Sequence, residues 1–571
     1  MKAANNEGFI NEFDGLSDVG IDQSSSFGRK RENKKKNRYQ NIVPYDGKCV
    51  MLEELAGMSK LETEYINATC IDGFERRDSY IVAQGPLPAT CHDFWRMVWL
   101  KEPSAIVMLT RTVENGKNKC KQYWLDNEPV HYDGLTIEVE SITDLADYTV
   151  RLIKMTLLDE KRSIKHYHFK SWPDHGVPMY ATDLLGLLYR VRRDTSGSPS
   201  PLLVHCSAGV GRSGTYVTID FIVDCLNLKP TQKIDVCRVV TDLRMSRKEM
   251  VQSVLQYSLI HEAIVEAYYT QKNSLLASEF RNEFLSIASM QVGGGRIGEE
   301  HKALLRLSSC PDESDYMSAL LPTVLRRKNR TSQFLPPDSV RVMLHVDDDS
   351  LDADYVNTEE GADYINASYV NSYSARKAFI VTQAPLPSTK IDMWKMVYEQ
   401  NVTAIVNLAQ HDEHDIYWPE SGSCTYGHLK VKTTSVELKN AFLVYRLHLT
   451  KNMDERDITL FHYTAWPVDG TPSNVRGLFR MMSELDQWQK RHSGCRIVVH
   501  CCTGMGRSGV FCATYNVLEQ VQNEGVVNIL HVAKFLCNQR PGIIQTLEHY
   551  HSIYSLVDHY LRSDTIYSNV K

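Results

Sequence analysis

At 571 residues the chain is too long for one ordinary domain, and its 43% hydrophobic and 23% charged residues let each of two or three domains bury its own core. The net charge of −6 argues against a general nucleic-acid binder, and no apolar run approaches the roughly 18–20 residues of a membrane span. The first thirteen residues lack the apolar core of a secretory signal, and the 14 cysteines form no CxxC pair, so a soluble protein of a reducing, intracellular compartment is expected.

In chain order, residues 1–28 read as a loosely ordered segment, especially 14–28, and a basic run follows from Arg29 to Arg38. A run of this kind can mark a nucleic-acid patch, but a solvated lead-in to the first domain is the better reading, since LysAsnArg recurs later without it. Buried strands are expected at 105–109 and 201–205, and helices from Ser213 to Asp224 and from Lys248 to Tyr268. These runs predict an α/β domain with a mixed sheet, spanning 29–272. Past a boundary near 272–280, the segment 277–290 reads as helical, with Phe280 and Phe284 at a helix period.

The chain then repeats itself. LysAsnArg at 36–38 returns at 328–330, TyrIleAsnAla at 65–68 returns at 364–367, Trp172-Pro173 at Trp466-Pro467, and ValHisCys at 204–206 returns at 499–501. The order is kept throughout, which predicts two tandem copies of one fold, the second over 277–562 with a mobile tail at 563–571.

The chemistry is concentrated at Cys206-Ser207-Ala208-Gly209-Val210-Gly211-Arg212. A strand leads into this loop and a helix leaves it, so backbone N–H groups and the helix N-terminus converge on one anion. Gly209 and Gly211 permit a tight loop, and Arg212 supplies a planar fork that matches two oxygens of a phosphate. Such a positive cradle favours the thiolate of Cys206 over the thiol, and a thiolate beneath a bound phosphate is an in-line nucleophile. Cys70 and Arg76 have the same spacing, but the bulky and acidic residues between them, Phe74 and Glu75, cannot hold an anion. That pair is read as structural. No His/Cys/Asp cluster suggests a metal, and no cofactor is expected.

HisCysSerAlaGlyValGlyArgSer resembles the signature loop of the protein tyrosine phosphatases, and the tandem layout is similar to the cytoplasmic part of their receptor-type members. Any membrane attachment would then lie in a segment outside this chain. The resemblance implies phosphotyrosine proteins as substrates, with Asp174 in TrpProAspHisGlyValPro as general acid, a group a poorly departing tyrosyl oxygen needs. It further implies that Gln252 places the hydrolytic water, with Gln256 one helical turn later among the substrate-binding residues, that Ser213 stabilises the departing thiolate, and that His205 orients the loop. Tyr39 becomes the aromatic wall of the pocket, Asn41 a contact to substrate backbone, and Glu114 and Lys119 part of a loop supporting Arg212 and the acid. Two other readings share the Cys-x5-Arg loop. A scaffold that binds phosphotyrosine without turnover does not need the intact Asp174, Cys206, Arg212 and Gln252 set, and a dual-specificity or lipid phosphatase should lack the LysAsnArgTyr wall.

The second copy keeps Cys501, Arg507 and Gln545, but Val468 takes the acid position with Asp469 one residue late. Thr331 replaces the aromatic wall, and His549 stands in the place of Gln256. The second domain is therefore expected to be nearly inactive. Near the C-terminus, Tyr567 and Asn569 form a Tyr-x-Asn segment similar to the motif read by adaptor SH2 domains.

Overall fold

The computed structural model describes residues 7–229, 233–289, 295–308, 312–346, 361–410, 416–467 and 470–568, and for 285–289 and 564–568 the backbone alone. The chain divides into two compact units, Met1–Gln271 and Lys272–Lys571.

The first unit is built on a nine-stranded sheet: β1 (Cys49–Met51), β2 (Tyr65–Ile71), β3 (Tyr80–Ala83), β4 (Ala105–Met108), β5 (Val130–Tyr132), β6 (Leu135–Asp144), β7 (Tyr148–Leu157), β8 (Glu160–Phe169) and β9 (Leu202–His205). Their spatial order is β1-β2-β3-β9-β4-β8-β7-β6-β5. The central strands β3, β9, β4 and β8 run parallel, and the flanking ones antiparallel. Of these, β3, β4 and β9 are buried on both faces, as a sheet covered on both sides requires. Leu203 joins a core with Trp95, Ile106 and Met108 beneath the helix α1 (Cys91–Lys101), while alternation along the strand sends Val204 to the opposite face. That face is covered by α2 (Ala181–Asp194), α3 (Gly211–Leu228) and α4 (Val254–Thr270).

The second unit repeats the plan. Its nine strands, Arg341–Met343, Tyr364–Val370, Phe379–Gln383, Val402–Asn407, Ser423–Tyr426, Leu429–Leu438, Phe442–Lys451, Asp454–Tyr463 and Arg496–Cys501, take the same spatial order. Two tandem α/β domains with mixed sheets are thus as the repeat predicted.

Three local expectations are corrected. Residues 7–28 are not loose: Glu7–Asp14 is a helix whose Phe9 is buried against Tyr257 and His261, and the Glu12 carboxylate accepts from the Tyr257 hydroxyl at 2.8 Å. Beyond it, Asp46 accepts hydrogen bonds from Ser24, Ser26 and the Phe27 N–H. An amphipathic Phe9/Phe13 pair lies hidden in a polar composition, and only a partner surface gives it something to bury. The stretch 248–253 is loop, because α4 starts only after the Ser253 hydroxyl caps the Gln256 N–H. Finally, the last helix runs from Leu547 to Ser568, so Tyr567 is helical. No Gly or Pro interrupts those residues, and the backbone ladder continues. Asn569 lies outside the described residues.

Candidate active site

Parallel strands leave their C-terminal ends open to ligands, and there β9 hands over to the loop 206–210 and then to α3. Cys206 is buried, and the Gly209 N–H donates to its Sγ at 3.2 Å. The loop thus aims a backbone N–H directly at the sulfur. Gly209 has φ +70°, and a Cβ there would lie 2.2 Å from the Ala83 carbonyl oxygen. Only glycine fits.

Arg247, fully buried, holds the loop from behind. Its Nε donates to the Gly209 carbonyl at 2.8 Å and Nη2 to Ala208 O at 3.1 Å, while Asn67 Oδ1 and Thr69 Oγ1 take its other protons at 2.7 and 2.9 Å. Burial pulls its guanidinium down to about 10, still a cation at neutral pH. Spending carbonyls on Arg247 turns the loop's N–H groups the other way, toward the cleft, since the two groups of a trans peptide point apart.

Arg212 projects from the first turn of α3. Nη1 donates to Glu114 Oε1 at 2.6 Å and to Leu109 O at 3.2 Å, and Nη2 to Glu114 Oε2 at 2.9 Å and to Pro173 O at 3.3 Å. Burial raises the Glu114 carboxyl, but hydrogen bonds and charge from Arg212, with the Arg111 N–H and the Thr110 hydroxyl, outweigh it and hold the group below its usual range. Pro173 ties the loop bearing Asp174 to Arg212, and Trp172 lies 5.6 Å beneath the same guanidinium. Asp174 itself is half-buried, and its Oδ1 is buried without a hydrogen-bond partner.

His205 is fully buried, its Nε2 at 2.8 Å from the Tyr123 hydroxyl and its Nδ1 at 3.3 Å from the Cys206 carbonyl. Burial pushes its imidazole down to about 3, leaving a neutral ring. Ser213 is buried in the first turn of α3, and its hydroxyl has no partner.

A cleft of about 280 Å³ brings together Tyr39, Asn41, Glu114, Lys119, Cys206, Ser207, Ala208, Gly211, Arg212, Gln252 and Gln256. The Tyr39 hydroxyl lies 3.0 Å from Ser207 Oγ, which donates its own proton to Lys119 O at 2.9 Å, so Tyr39 is the donor of the first bond. Gln252 stands on the loop before α4, and its N–H donates to Gln256 Oε1 at 2.8 Å. Asp174 does not line this cleft. A larger cleft, about 570 Å³, sits at the opposite ends of the parallel strands among Ser79, Ser104, Arg192 and Asp220, and holds no nucleophile beside an anion cradle.

Sequence reasoning missed the frame that carries these groups. Arg38 is locked by Gln84 Oε1, Gly85 O and Pro86 O at 2.8, 3.0 and 2.7 Å, which fixes the next residue, Tyr39, over the cleft. Asn67 joins Arg247 to Asn37 and Ile42 O. Both copies carry Asn67 and Arg247 counterparts, Asn366 and Arg540, and that repetition was the available signal.

In the second unit, Arg540 donates to Gly504 O and Asn366 Oδ1, and Arg507 Nη1 to Leu408 O at 3.0 Å. The Cys501 thiol, however, faces the Met505 carbonyl oxygen at 2.9 Å. Gln545 Nε2 is buried without a partner, and Thr331 accepts from the Gln333 N–H at 3.2 Å. Val468 and Asp469 lie outside the described residues. No helix among the described residues is long and apolar enough to cross a membrane.

The protein-tyrosine phosphatase family profile matches residues 33–266 and again 325–559. The chain is 35% identical over 583 residues to receptor-type tyrosine-protein phosphatase alpha of Homo sapiens, covering all of this chain and 71% of that protein. It is 34% identical over 579 residues to receptor-type tyrosine-protein phosphatase U of Gallus gallus, covering 99% of this chain and 39% of that protein. Two copies of the family's domain, each with a Cys-x5-Arg loop at the strand ends, make this chain a tandem-domain protein-tyrosine phosphatase of the receptor-type group.

Proposed function

We propose that the first domain dephosphorylates phosphotyrosine through a covalent phosphocysteine, and that the second is nearly inactive and regulatory. The observation that carries the reading is the Gly209 N–H on Cys206 Sγ, with Arg212 clamped by Glu114 at the same cleft. In this reading the Cys206 thiolate attacks phosphorus as the bond to the tyrosyl oxygen breaks. Asp174 gives that oxygen its proton, after moving from its present place beside Pro173 into the cleft. Gln252 then positions a water, the Asp174 carboxylate takes one of its protons, and the water oxygen displaces Cys206 from phosphorus. The sulfur departs as a thiolate, for which the unpartnered Ser213 hydroxyl is a ready donor. Arg212 and the loop N–H groups of 207–211 hold the phosphoryl oxygens throughout. Tyr39 lines the ring site, whose depth favours phosphotyrosine over the shorter phosphoserine.

The experiment is acid quench of the chain with a phosphotyrosyl peptide labelled on phosphorus. Label is expected on Cys206 within the first turnover and absent in Cys206→Ser. A pre-steady-state burst with no labelled protein rules out the covalent route.

The location in keeping with receptor-type relatives is intracellular, attached to the membrane through sequence outside this chain. Tyr567 extends the proposal: phosphorylated, with Asn569 two residues on, it would dock an adaptor SH2 domain once the last helical turn unwinds. Titration of a Tyr567-phosphorylated tail peptide into such a domain tests this, and affinity unchanged by Asn569→Ala rejects it.

A further inference from the structure

The two Cys loops share their first half. Gly209 and Gly504 have φ +70° and +72°, and each carbonyl accepts from the buried arginine behind it, at 2.8 and 3.2 Å. A Cβ on either glycine would strike the neighbouring strand, at Ala83 O or Thr382 O.

The second halves diverge. In the first domain the Val210 carbonyl points away from the cleft and accepts from the Val251 N–H at 3.1 Å. The N–H of Gly211, on the other side of that trans peptide, is thereby turned toward the anion site. In the second domain the corresponding peptide is reversed. The Gly506 N–H points away and donates to Ile543 O at 3.0 Å, and the Met505 carbonyl points in, onto the Cys501 thiol at 2.9 Å. Gly506 has φ +56°, whereas Gly211 is not in the left-handed region.

We propose that the Met505–Gly506 peptide sets the Cys501 loop against anions, so that a tetrahedral oxyanion binds in the second domain only after this peptide turns over. The proposal rests on the reading of that domain as nearly inactive, and gives it a cause independent of Val468 and Thr331. One inward N–H is replaced by an inward carbonyl, whose lone pairs repel both a phosphate oxygen and a thiolate sulfur. The sulfur is held as a hydrogen-bond donor to that carbonyl.

The turn after Arg540 sustains the reversal. In the first domain Val251 adopts φ +62°, a conformation that a β-branched residue holds only under constraint, and so aims its N–H at Val210 O. Its counterpart Ile544 is not in that region, and Ile543 offers a carbonyl instead. The His549 ring packs on Gly506, where a Cβ would lie 2.7 Å from it. Gln256 in the first domain closes a bond to the Gln252 N–H, whereas His549 Nδ1 and Gln545 Nε2 are both buried without partners.

The test is site-resolved alkylation of the full chain with iodoacetamide at neutral pH, with and without orthovanadate as the probe anion. Tandem mass spectrometry separates Cys501 from Cys502. Cys206 is expected to alkylate at least tenfold faster than Cys501 and to be protected by vanadate, while the same vanadate leaves Cys501 unprotected. Ile544→Gly, free to take the left-handed turn, is expected to lower the vanadate needed to protect Cys501 at least tenfold. Equal protection of Cys501 and Cys206 in the unaltered chain overturns the proposal, and that comparison needs no variant to fold. No gain from a folded Ile544→Gly chain overturns the role of the 543–544 turn. Phosphotyrosine turnover by a Cys206→Ser chain overturns the reading of the second domain as inactive, whereas protection without turnover overturns only the reversed peptide as its cause.

Discussion

Arg212 and Glu114 meet end on, Nη1 to Oε1 at 2.6 Å and Nη2 to Oε2 at 2.9 Å, with the carboxylate buried beneath the guanidinium. The two-point contact fixes the plane of the fork, and the plane decides whether two phosphate oxygens are met at once. Glu114 sits on a two-strand hairpin, Val113–Glu114 with Lys117–Asn118, far in sequence from the loop it serves.

Replacing Glu114 by Ala frees the guanidinium to swing. Loss of about 10²-fold in kcat/KM toward a phosphotyrosyl peptide is expected, the usual scale for a misplaced binding group. Glu114→Gln, which keeps the shape and one acceptor, is expected to lose less. Steady-state rates for the two variants check the order, and equal activity of Glu114→Ala and the parent contradicts a positioning role.

The same pair makes stability depend on pH. The Glu114 carboxyl is held below its ordinary range in the folded chain, so its contribution is present above the unfolded value of about 4.3 and is lost as pH falls through the folded one. Urea midpoints of the parent and of Glu114→Gln are expected to differ most near neutrality and to converge in acid. A gap that widens below pH about 4 would contradict the sign.

Cys206→Ser is expected to abolish turnover by the whole chain, because a serine hydroxyl in the same cradle stays protonated. Initial rates on a phosphotyrosyl peptide measure it. Survival of more than a few per cent of the activity would place catalysis elsewhere, with Cys501 the obvious candidate.

Asp174→Ala removes the proton for the leaving oxygen. A fall in kcat of about 10²–10⁴ is expected with phosphopeptide affinity nearly kept, since the acid acts in the transition state. A raised KM at unchanged kcat would assign Asp174 to binding instead.

Arg247→Met strands the Gly209 and Ala208 carbonyls and Asn67 Oδ1, all now satisfied by one side chain. Loss of about 3 kcal/mol or more in unfolding free energy is expected, from several buried acceptors left unpaired. Chemical denaturation measures it, and a neutral outcome would mean that water replaces the guanidinium.

The amino-acid sequence by itself determined the repeat, the α/β plan and the Cys206–Arg212 cradle, because each is written in contiguous residues whose local geometry follows from glycine, strand and helix preferences. It also marked Tyr39, Gln252 and Glu114, through family resemblance. What it left unread is what distant residues do together. Arg247 and Asn67 look like ordinary polar positions until the fold sets them behind the loop, and Gln84 until it takes the Arg38 N–H. Phe9 gave no signal because the surface that buries it is formed by Tyr257 and His261. The two Cys loops read almost alike, GlyValGlyArgSer and GlyMetGlyArgSer, yet one peptide in them faces opposite ways. A peptide's orientation depends on which hydrogen-bond partner stands beside it, and here that partner, the Val251 N–H or the Ile543 carbonyl, is brought in by a turn that only the tertiary structure supplies.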